Sequence, residues 1–340
     1  MRLSVYIIKR AAYSIFTLLG LSIIVFTLAR VLPGDPARMA AGSRAPEWVV
    51  EQIRHQLNLD KPLYLQYFYW LSDLLRGDLG YSIVSRRSVT GDAIEYLPAT
   101  LELVIAAAIF NIVGAFILGS LAGKYANRFV DNAIRVFSYI AISIPSFVWA
   151  IILQLIFGWW LRIFPTQGRI SEGLSVSRIT GFYLIDSLLN GNFSAFLDSV
   201  WHLVMPAFAL SIGGMAQDAR IIRAGMVDNA EKDYILLMKS KGLPDRLISF
   251  KYLLKPSIIP AVTVMGMDIA ALLGNAFLVE IIFNWPGFSK YGIWAMLNKD
   301  LNAIVAVVLV IGLVFAIANI VVDVVVSYLD PRIRLLEKGE

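Results

Sequence analysis

The sequence of 340 residues contains no cysteine and only two histidines. Without cysteine the chain forms no disulfide and offers no thiolate, and its redox compartment cannot be read from composition. His55 and His202 lie far apart in sequence and form no pair with metal-ligand spacing, so we expect no metal site. No paired carboxylates and no Ser/His/Asp arrangement stand out among the 16% of residues that are charged. The sequence therefore predicts a protein that is not an enzyme.

Nucleotide-binding motifs are also missing. The segment from Gly119 to Lys124 is one residue short of the GxxxxGK pattern and falls at the end of an apolar run rather than after a strand. The glycines at 213 and 214 lie inside another apolar run. We therefore expect this chain to bind no cofactor of its own.

Long apolar runs dominate what remains. Hydrophobic residues make up 58% of the chain, and the mean hydropathy is +0.69, which is not typical of a soluble globular protein. A spanning helix needs about 20 apolar residues. Six windows meet or approach this requirement, at 9–30, 99–123, 134–162, 201–222, 257–282 and 303–328. Because only helices or closed barrels satisfy the backbone in lipid, runs this long predict an all-α membrane protein with six transmembrane helices.

Two of the six windows are irregular. The fourth is interrupted by Gly213, Gly214, Gln217 and Asp218, which makes it the weakest. The third contains Pro145 and is expected to kink at 144–146.

Basic residues are distributed unevenly between the two sides of such a chain. The segments 1–10, 123–135, 217–256 and 329–340 carry 17 Lys and Arg in 75 residues, whereas 30–97, 162–200 and 283–300 carry 13 in 125. Because the side richer in Lys and Arg stays in the cytoplasm, both termini and the 217–256 loop are predicted to be cytoplasmic, in the plasma membrane. This bias accounts for the net charge of +5, so no nucleic-acid partner is implied.

The outer segment 31–97 is too long for a plain connection. It contains two helical stretches, at 46–57 and 63–75, so we expect a small outer helical insertion after an N-terminal helix at 1–30. The second outer segment, 163–200, is richer in Gly and Ser and is expected to be looser. Six tryptophans fall at or near predicted outer helix ends, as in an interfacial aromatic belt, namely Trp70, Trp159, Trp160, Trp201, Trp285 and Trp294.

A short helix is predicted inside the cytoplasmic loop. Asp233 is expected to cap its start, and Lys239 and Lys241 suit the dipole at its end. Gly242 is expected to end the helix at positive φ, and Pro244 prevents its continuation. The helix is then roughly eight residues long, about 12 Å, and needs packing to hold it.

Five consecutive apolar residues cover most of the circumference of this short helix: Tyr234, Ile235, Leu236, Leu237 and Met238. They either pack against the protein's own helices or dock onto another protein. The second interpretation is favoured.

Ionisable residues within the predicted membrane spans are the other indication of a functional site. Glu102, Asp268, Glu280 and Asp323 fall within predicted spans, and such residues usually face a cavity or a partner because a charge at the bilayer centre is costly. Asp268 is the deepest and is the best candidate to line a pathway. Glu280 and Glu102 are further pathway-lining candidates, although a structural role for Glu280 is favoured, and water contact or helix-end bonding is favoured for Glu102 and Asp323, which are expected near helix ends.

Short motifs in a fixed order cover nearly the whole chain. They are Arg10, Ser22, Phe26, Pro-Gly-Asp-Pro at 33–36, Leu-Asp-Lys-Pro-Leu at 59–63, Arg-Gly-Asp-Leu-Gly at 76–80, Leu-Pro-Ala-Thr-Leu-Glu at 97–102, Glu-Ile-Ile-Phe at 280–283, Trp-Pro-Gly at 285–287 and Leu-Asp-Pro-Arg-Ile-Arg at 329–334. Together they resemble the permease subunits of dipeptide/oligopeptide-type ABC importers.

The resemblance implies the type I ABC importer permease fold, with a core permease domain at 98–330 and a cytoplasmic tail at 331–340. It also implies that the cytoplasmic loop holds the family's coupling helix at 233–243, seated in a groove of an ATP-binding subunit through Tyr234, Ile235, Leu236, Leu237, Met238, Lys239, Ser240, Lys241, Gly242 and Leu243. Leu236, Leu237 and Met238 stand where the family often has small residues and an acid, whereas Lys241, Gly242 and Pro260 are retained.

The remaining partners follow from the same resemblance. They are a second homologous permease chain, two ATP-binding cassette ATPase subunits that bind ATP and Mg, an extracellular substrate-binding protein and the lipid bilayer. The substrate would be an oligopeptide or an oligosaccharide, with another small solute such as a metal chelate as an alternative.

Two other classes remain as rivals. A secondary transporter would usually show inverted repeats and paired broken helices, and an intramembrane enzyme would bring clustered carboxylates or histidine ligands. Neither signal is found in the sequence.

Overall fold

The computed structural model describes residues 3–31, 36–42, 44–56 and 58–329. Within these ranges the regular elements are helices, and the only β-pairing is an isolated bridge between Tyr81 and Ser88. The predicted all-α class is confirmed. The motif at 33–35, the end of the 329–334 motif and the predicted tail at 331–340 lie outside the described residues.

In chain order the helices are α1 (Leu3–Val31), α2 (Pro36–Ala41), α3 (Glu47–Gln56), α4 (Leu63–Leu75), α5 (Val89–Lys124), α6 (Phe129–Ser143), α7 (Ser146–Trp160), α8 (Tyr183–Leu189), α9 (Phe193–Ala230), α10 (Asp233–Ser240), α11 (Asp245–Ile282), α12 (Phe288–Leu297) and α13 (Leu301–Leu329). Five of them, α1, α5, α9, α11 and α13, are long and apolar enough to cross a membrane. The bent pair α6 and α7 makes up to six if the pair is one span. The predicted multi-span architecture is therefore confirmed.

The predicted kink at 144–146 is a break between two helices. The axes of α6 and α7 differ by 108°. Ile144 is extended, with φ −101° and ψ 123°, which is the conformation favoured before a proline. Pro145 then immediately precedes the first residue of α7, where a missing N–H removes no helical hydrogen bond. The proline therefore starts a new helix, and the prediction of a kink understated the bend.

The window predicted to be the weakest span forms one of the two longest described helices, together with α11. α9 runs for 38 residues, and the Asn192 side chain caps its start by accepting from the Ala195 N–H at 3.0 Å. Gly213 and Gly214 remain helical because α9 is packed by α6, α7, α8 and α11, and such packing overrides weak local propensity. α9 begins at Phe193, inside the segment that was expected to be loose.

Small residues bring α5 and α9 into close approach. A methyl group at Gly119 would lie 2.7 Å from the Ile222 Cβ and 2.8 Å from the Ala219 carbonyl oxygen. Close approach through glycine is the usual way for membrane helices to pack. The segment that superficially resembles a phosphate-binding loop is thus a helix contact.

The chain divides into two compact units that do not follow chain order. Of the described residues, one unit contains 3–8, 99–286 and 317–329, and the other contains 9–31, 36–42, 44–56, 58–98 and 287–316. The predicted segments 1–30, 31–97 and 98–330 differ from these units because 287–316 packs with the described part of the 31–97 insertion. Within that second unit the Ser82 hydroxyl donates to the Asp300 carboxylate at 2.6 Å.

The insertion at 31–97 has the two helices that the sequence predicts. α3 and α4 correspond to the stretches expected at 46–57 and 63–75, and Arg76 caps the end of α4. In the same unit the rings of Tyr96 and Tyr291 stack with their centroids 5.4 Å apart.

One of the tryptophans assigned to an aromatic belt is interior. Trp285 is 1% exposed, and its Nε1 donates to the Ala99 carbonyl at 2.9 Å. Trp159 and Trp160 are exposed, as interfacial residues would be. The belt interpretation is wrong for Trp285, because its indole N–H has a backbone partner inside the protein.

Candidate functional site

The short helix predicted inside the 217–256 loop is α10. It runs from Asp233 to Ser240, close to the predicted bounds. The residue at its N-cap position is Lys232, with no side-chain hydrogen bond to the helix, and Asp233 is the first helical residue. The capping role predicted for Asp233 is therefore wrong. Its carboxylate still lies in the first turn, where negative charge favours the dipole.

The end of α10 has the predicted geometry. Gly242 adopts φ +74°, and the Leu243 N–H reaches back to the Met238 carbonyl at 3.2 Å. A residue in the left-handed conformation, followed by an N–H that donates to the carbonyl five residues earlier, is a common way for a helix to end. A side chain at 242 would meet no atom within 4 Å, so the backbone conformation, and not space, favours glycine here.

The apolar residues of α10 point in two directions. Ile235 is 0% exposed and belongs to a cluster with Met226, Ile248 and Met265, and Met238 and Leu243 pack against the same cluster. These residues attach α10 to its own chain, as the first of the two interpretations, the one not favoured from the sequence, had it. Leu236 and Leu237 are 56% and 55% exposed, and Tyr234 is 38% exposed. The exposed apolar surface of α10 is therefore made by Tyr234, Leu236 and Leu237.

The exposed apolar surface is flanked by lysines. Lys232, Lys239 and Lys241 are all exposed. Leu247 and Phe250, on the segment that follows α10, are also exposed and line a shallow pocket with Pro244 and Arg246. The sequence had not singled out Leu247 or Phe250.

Asp268 lies in the middle of α11, as expected, and is partly buried. Its Oδ2 is buried without a hydrogen-bond partner. A second carboxylate within a predicted span is Asp218 of α9. Asp218 is 0% exposed, and its Oδ2 accepts from the Asn111 Nδ2 of α5 at 2.9 Å.

From the sequence alone, Asp218 was expected only to interrupt a span. Its position within an apolar run was the signal that could have found it.

Glu102 is held by an ion pair. Its Oε2 accepts from the Arg169 Nη2 at 2.5 Å, and both side chains are almost fully buried. The other carboxylate oxygen accepts from the Leu184 N–H at 2.9 Å. The guanidinium of Arg169 also lies over the Tyr183 ring, 3.7 Å from its centroid. The sequence had not singled out Arg169, since nothing local links it to Glu102.

Glu280 is also interior. It is 0% exposed and accepts from the Thr100 hydroxyl at 2.5 Å. The contact of Glu280 fits the structural role that the sequence favoured for it, whereas Glu102 lies well inside α5 and forms a buried ion pair instead of the water contact or helix-end bonding expected near a helix end. These contacts give no support to a pathway-lining role for either residue, which remains a prediction.

A third buried charge is satisfied by an ion pair between α6 and α9. Asp131 is 0% exposed, and both of its oxygens accept from Arg223, at 2.5 and 2.6 Å. This bidentate geometry is the strong form of an arginine–carboxylate contact. It fixes α6 to α9 near the end of α9 that leads into α10.

Two family models match the chain over most of its length. Residues 115–335 match the binding-protein-dependent transport system inner membrane component, and residues 3–104 match the N-terminal part of the membrane component of such systems. The chain belongs to this family of transport permeases. The importer permease is thus a multi-pass membrane subunit of an ATP-binding cassette importer, a transport system with a binding protein and an ATPase.

Curated relatives cover nearly the whole permease. A probable D,D-dipeptide transport system permease protein of Escherichia coli (strain K12) is 37% identical over 92% of this chain and 93% of the relative. A di/tripeptide transport system permease protein of Pseudomonas aeruginosa (strain UCBPP-PA14) is 34% identical over 97% of this chain and 98% of the relative. A glutathione transport system permease protein of Escherichia coli (strain K12) is 33% identical, again over 97% and 98%.

Proposed function

We propose that this permease imports short peptides delivered by an extracellular binding protein. The observation that carries the substrate class is the set of full-length relatives, which are named for dipeptides, di- and tripeptides and glutathione. Oligosaccharides and metal chelates have no comparable support. The binding protein would deliver its peptide to the outer side, where 31–97 and 163–200 lie in the predicted topology.

The assembly that we propose has two permease chains and two ATPase subunits. This chain forms half of the pathway, and a second homologous permease forms the other half. ATP and Mg²⁺ are bound by the ATPase subunits, and the permease itself binds no cofactor. Both termini and α10 lie on the cytoplasmic side.

α10 is the proposed docking element for one ATPase subunit. The support is the division of its surface, with Ile235 and Met238 attached to the permease and Tyr234, Leu236 and Leu237 exposed. Exposed apolar patches of this kind commonly mark partner sites. The flanking Lys232, Lys239 and Lys241 suit a partner groove with an acidic rim.

Coupling then follows from how α10 is connected. It is continuous in sequence with α9 on one side and α11 on the other, and Ile235 packs into the cluster that includes residues of both. Movement of an ATPase subunit upon ATP binding would therefore be passed to α9 and α11. ATP binding shifts the permease between inward-open and outward-open states only if it stabilises one of these states more than the other. The substrate-loaded binding protein, which acts from outside, must likewise stabilise one state more than the other.

The docking proposal predicts the effect of a charge on the exposed face. Leu237→Glu should leave the fold intact, because residue 237 is mostly exposed, yet should place an unpaired carboxylate in the ATPase groove, which is strongly unfavourable. We expect loss of ATPase co-purification with the permease and loss of ATP-driven uptake.

Phe129→Glu is the matched control, since Phe129 is an exposed apolar residue outside α10. It should retain both ATPase co-purification and uptake. Normal assembly and transport by Leu237→Glu would rule out docking through this face. Ile235→Asp, in contrast, would test the internal packing of α10, because Ile235 faces its own chain.

The substrate proposal is tested by reconstituting the permease with its partner subunits and its binding protein in liposomes. Uptake of a labelled dipeptide should require ATP and all subunits. A binding protein that retains an oligosaccharide or a metal chelate would replace the peptide assignment. Uptake in the absence of the ATPase subunits would favour a secondary transporter.

A further inference from the structure

The helix α4 presents a row of exposed apolar side chains along one side. Tyr64, Phe68 and Leu75 are 64%, 63% and 80% exposed. Their spacing of four and seven residues brings all three onto one face of a helix that has 3.6 residues per turn. We call these three residues the apolar stripe of α4. A contiguous apolar face of this kind marks a surface that something other than water covers.

A second face of α4 packs against membrane-spanning helices. The ring centroid of Phe26, on α1, lies 5.3 Å from that of Tyr67 and 5.4 Å from that of Trp70. The hydroxyl oxygens of Ser22 and Tyr67 are 2.9 Å apart and share a hydrogen bond. Trp70 also packs against an apolar cluster to which both α1 and α13 contribute. The position of α4 beside these two helices is therefore set by contacts within its own compact unit.

The contact with α1 lies at membrane depth. The apolar span of α1 is Ile7–Arg30, with 24 residues, and is therefore about 36 Å long, whereas the hydrocarbon core of a bilayer is about 30 Å thick. Ser22 lies eight residues before Arg30 in the sequence, which is about 12 Å along the helix axis. The hydrogen bond between Ser22 and Tyr67 therefore lies below the end of the span, so α4 runs alongside the span at this level.

The third face of α4 is polar. Gln66, Tyr69 and Asp73 line a cavity of about 630 Å³, to which Asp78 and Arg86 also contribute. Their spacing of three and four residues places them together on the side of the helix that is nearly opposite to the apolar stripe. A helix with apolar side chains on one side and polar side chains on the other is typical of the membrane–water interface.

We propose that α4 lies in the membrane–water interface, with its apolar stripe among lipid acyl chains and its polar face towards water. Lipid is the partner that the depth of the Ser22–Tyr67 contact favours, because acyl chains surround a span at that level. Tyr64 suits the boundary, since its ring is apolar and its hydroxyl polar. This surface is separate from α10, and the inference does not rest on the proposed transport function.

Such a position of α4 has a consequence for the insertion at 31–97. The insertion is joined to α1 through the chain, and α4 would hold it to the bilayer at a second place. The cavity on the polar face of α4 would then be kept at a fixed height relative to the membrane surface.

Spin labels can locate the apolar stripe directly, because the chain contains no cysteine. Single variants Tyr64→Cys, Phe68→Cys and Leu75→Cys are labelled with a nitroxide, and so is Asp73→Cys on the polar face. The full-length permease is assembled with its partner subunits in liposomes of phosphatidylcholine and phosphatidylglycerol. Electron paramagnetic resonance then compares collisions of each label with oxygen, which concentrates in lipid, and with a neutral nickel chelate, which stays in water.

We expect the three labels on the apolar stripe to collide more with oxygen and the label at position 73 to collide more with the nickel chelate. Phe16→Cys is the reference for lipid, because Phe16 is a 76% exposed residue within the span of α1. Arg76→Cys, at an exposed position just after α4, is the reference for water.

A second variant tests whether the stripe holds α4 in place. Phe68→Glu should shift the label at position 75 towards the nickel chelate, because a carboxylate among acyl chains is costly. Asp73→Asn is the matched control on the polar face and should leave the label at position 75 unchanged.

Three results would overturn the proposal. A preference for the nickel chelate along the stripe would mean that water covers it. Labels on the stripe that neither reagent reaches in the assembled importer, but that oxygen reaches in the isolated permease, would mean that a partner subunit covers it. An unchanged label at position 75 in Phe68→Glu would mean that lipid contact does not hold α4.

Discussion

At the scale of single residues, hydrogen bonds decide how buried charges behave. Asp186 of α8 is 0% exposed and accepts from the N–H groups of Ile179, Thr180 and Gly181 and from the Thr180 hydroxyl. Burial by itself would raise the pKa of the Asp186 carboxyl, but these hydrogen bonds hold that pKa below its usual value.

The lowered pKa of Asp186 predicts a pH-dependent stability. A carboxyl whose folded-state pKa lies below its unfolded-state pKa stabilises the fold fully above the unfolded pKa. That stabilisation is lost as pH falls through the folded pKa. The difference in melting temperature between the parent and Asp186→Asn in detergent should therefore be largest near neutral pH and should shrink in acid. A difference that is independent of pH would contradict this account.

Gly242 allows a test of backbone strain without a steric clash. Its φ is +74°, and a left-handed conformation costs other residues about 1–2 kcal/mol. Gly242→Val should fray the end of α10 and weaken ATPase co-purification, while the membrane helices remain inserted. Gly242→Asn is the control, because asparagine tolerates this conformation, and it should retain association. Equal behaviour of the two variants would mean that the helix end is unimportant.

At the scale of secondary-structure elements, the approach of α5 to α9 leaves no room for a methyl group at Gly119. Gly119→Ala would place a carbon 2.8 Å from a backbone oxygen of Ala219, and a backbone cannot rotate away as a side chain can. We expect about 1–3 kcal/mol of destabilisation, as for overpacking in a well-packed interior.

Gly274→Ala of α11 is the matched control for Gly119→Ala. It is also a helical glycine, but a methyl group there would meet nothing within 4 Å, so it should be neutral or slightly stabilising. Thermal unfolding in detergent measures both variants. Comparable stability of the two would show that the close approach of α5 and α9 is not needed.

The helices α9 and α10 show what local pattern reveals about an element. The apolar run, Gly242 and Pro244 were sufficient to predict α10 within a few residues. The glycines and polar residues of α9 led to an underestimate of its length, because its stability comes from the helices packed around it and not from its own propensities.

At the scale of the whole molecule, the distribution of Lys and Arg predicts the orientation of the chain in the membrane, and thiol labelling can test that prediction. The cysteine-free chain permits single cysteines at Arg76 and Ser240, which are both exposed. A membrane-impermeant thiol reagent applied to intact cells should label Arg76→Cys and spare Ser240→Cys. After lysis both should be labelled. The reverse pattern in intact cells would overturn the predicted topology.

The compact units could not have been read from the chain. Asp300 accepts from Ser82 across 218 positions, and Arg169 pairs with Glu102 across 67. No local periodicity carries such pairings, because each partner has an unremarkable sequence neighbourhood. The sequence placed Glu102 and Glu280 within apolar spans, and both are buried in the structure. Their partners, Arg169 and Thr100, could not be identified from the sequence.

The sequence by itself determined the all-α class, the membrane spans, α10 and its left-handed end, and the family through ordered motifs. These are local properties, since hydropathy over about 20 residues and backbone preference at single glycines and prolines require no knowledge of the rest of the chain. Tertiary structure decided which face of α10 is free, why Trp285 is interior, and that Asn111 of α5 donates to Asp218 of α9. The physical reason is that burial and pairing depend on which helices pack together, and that packing is a property of the whole chain.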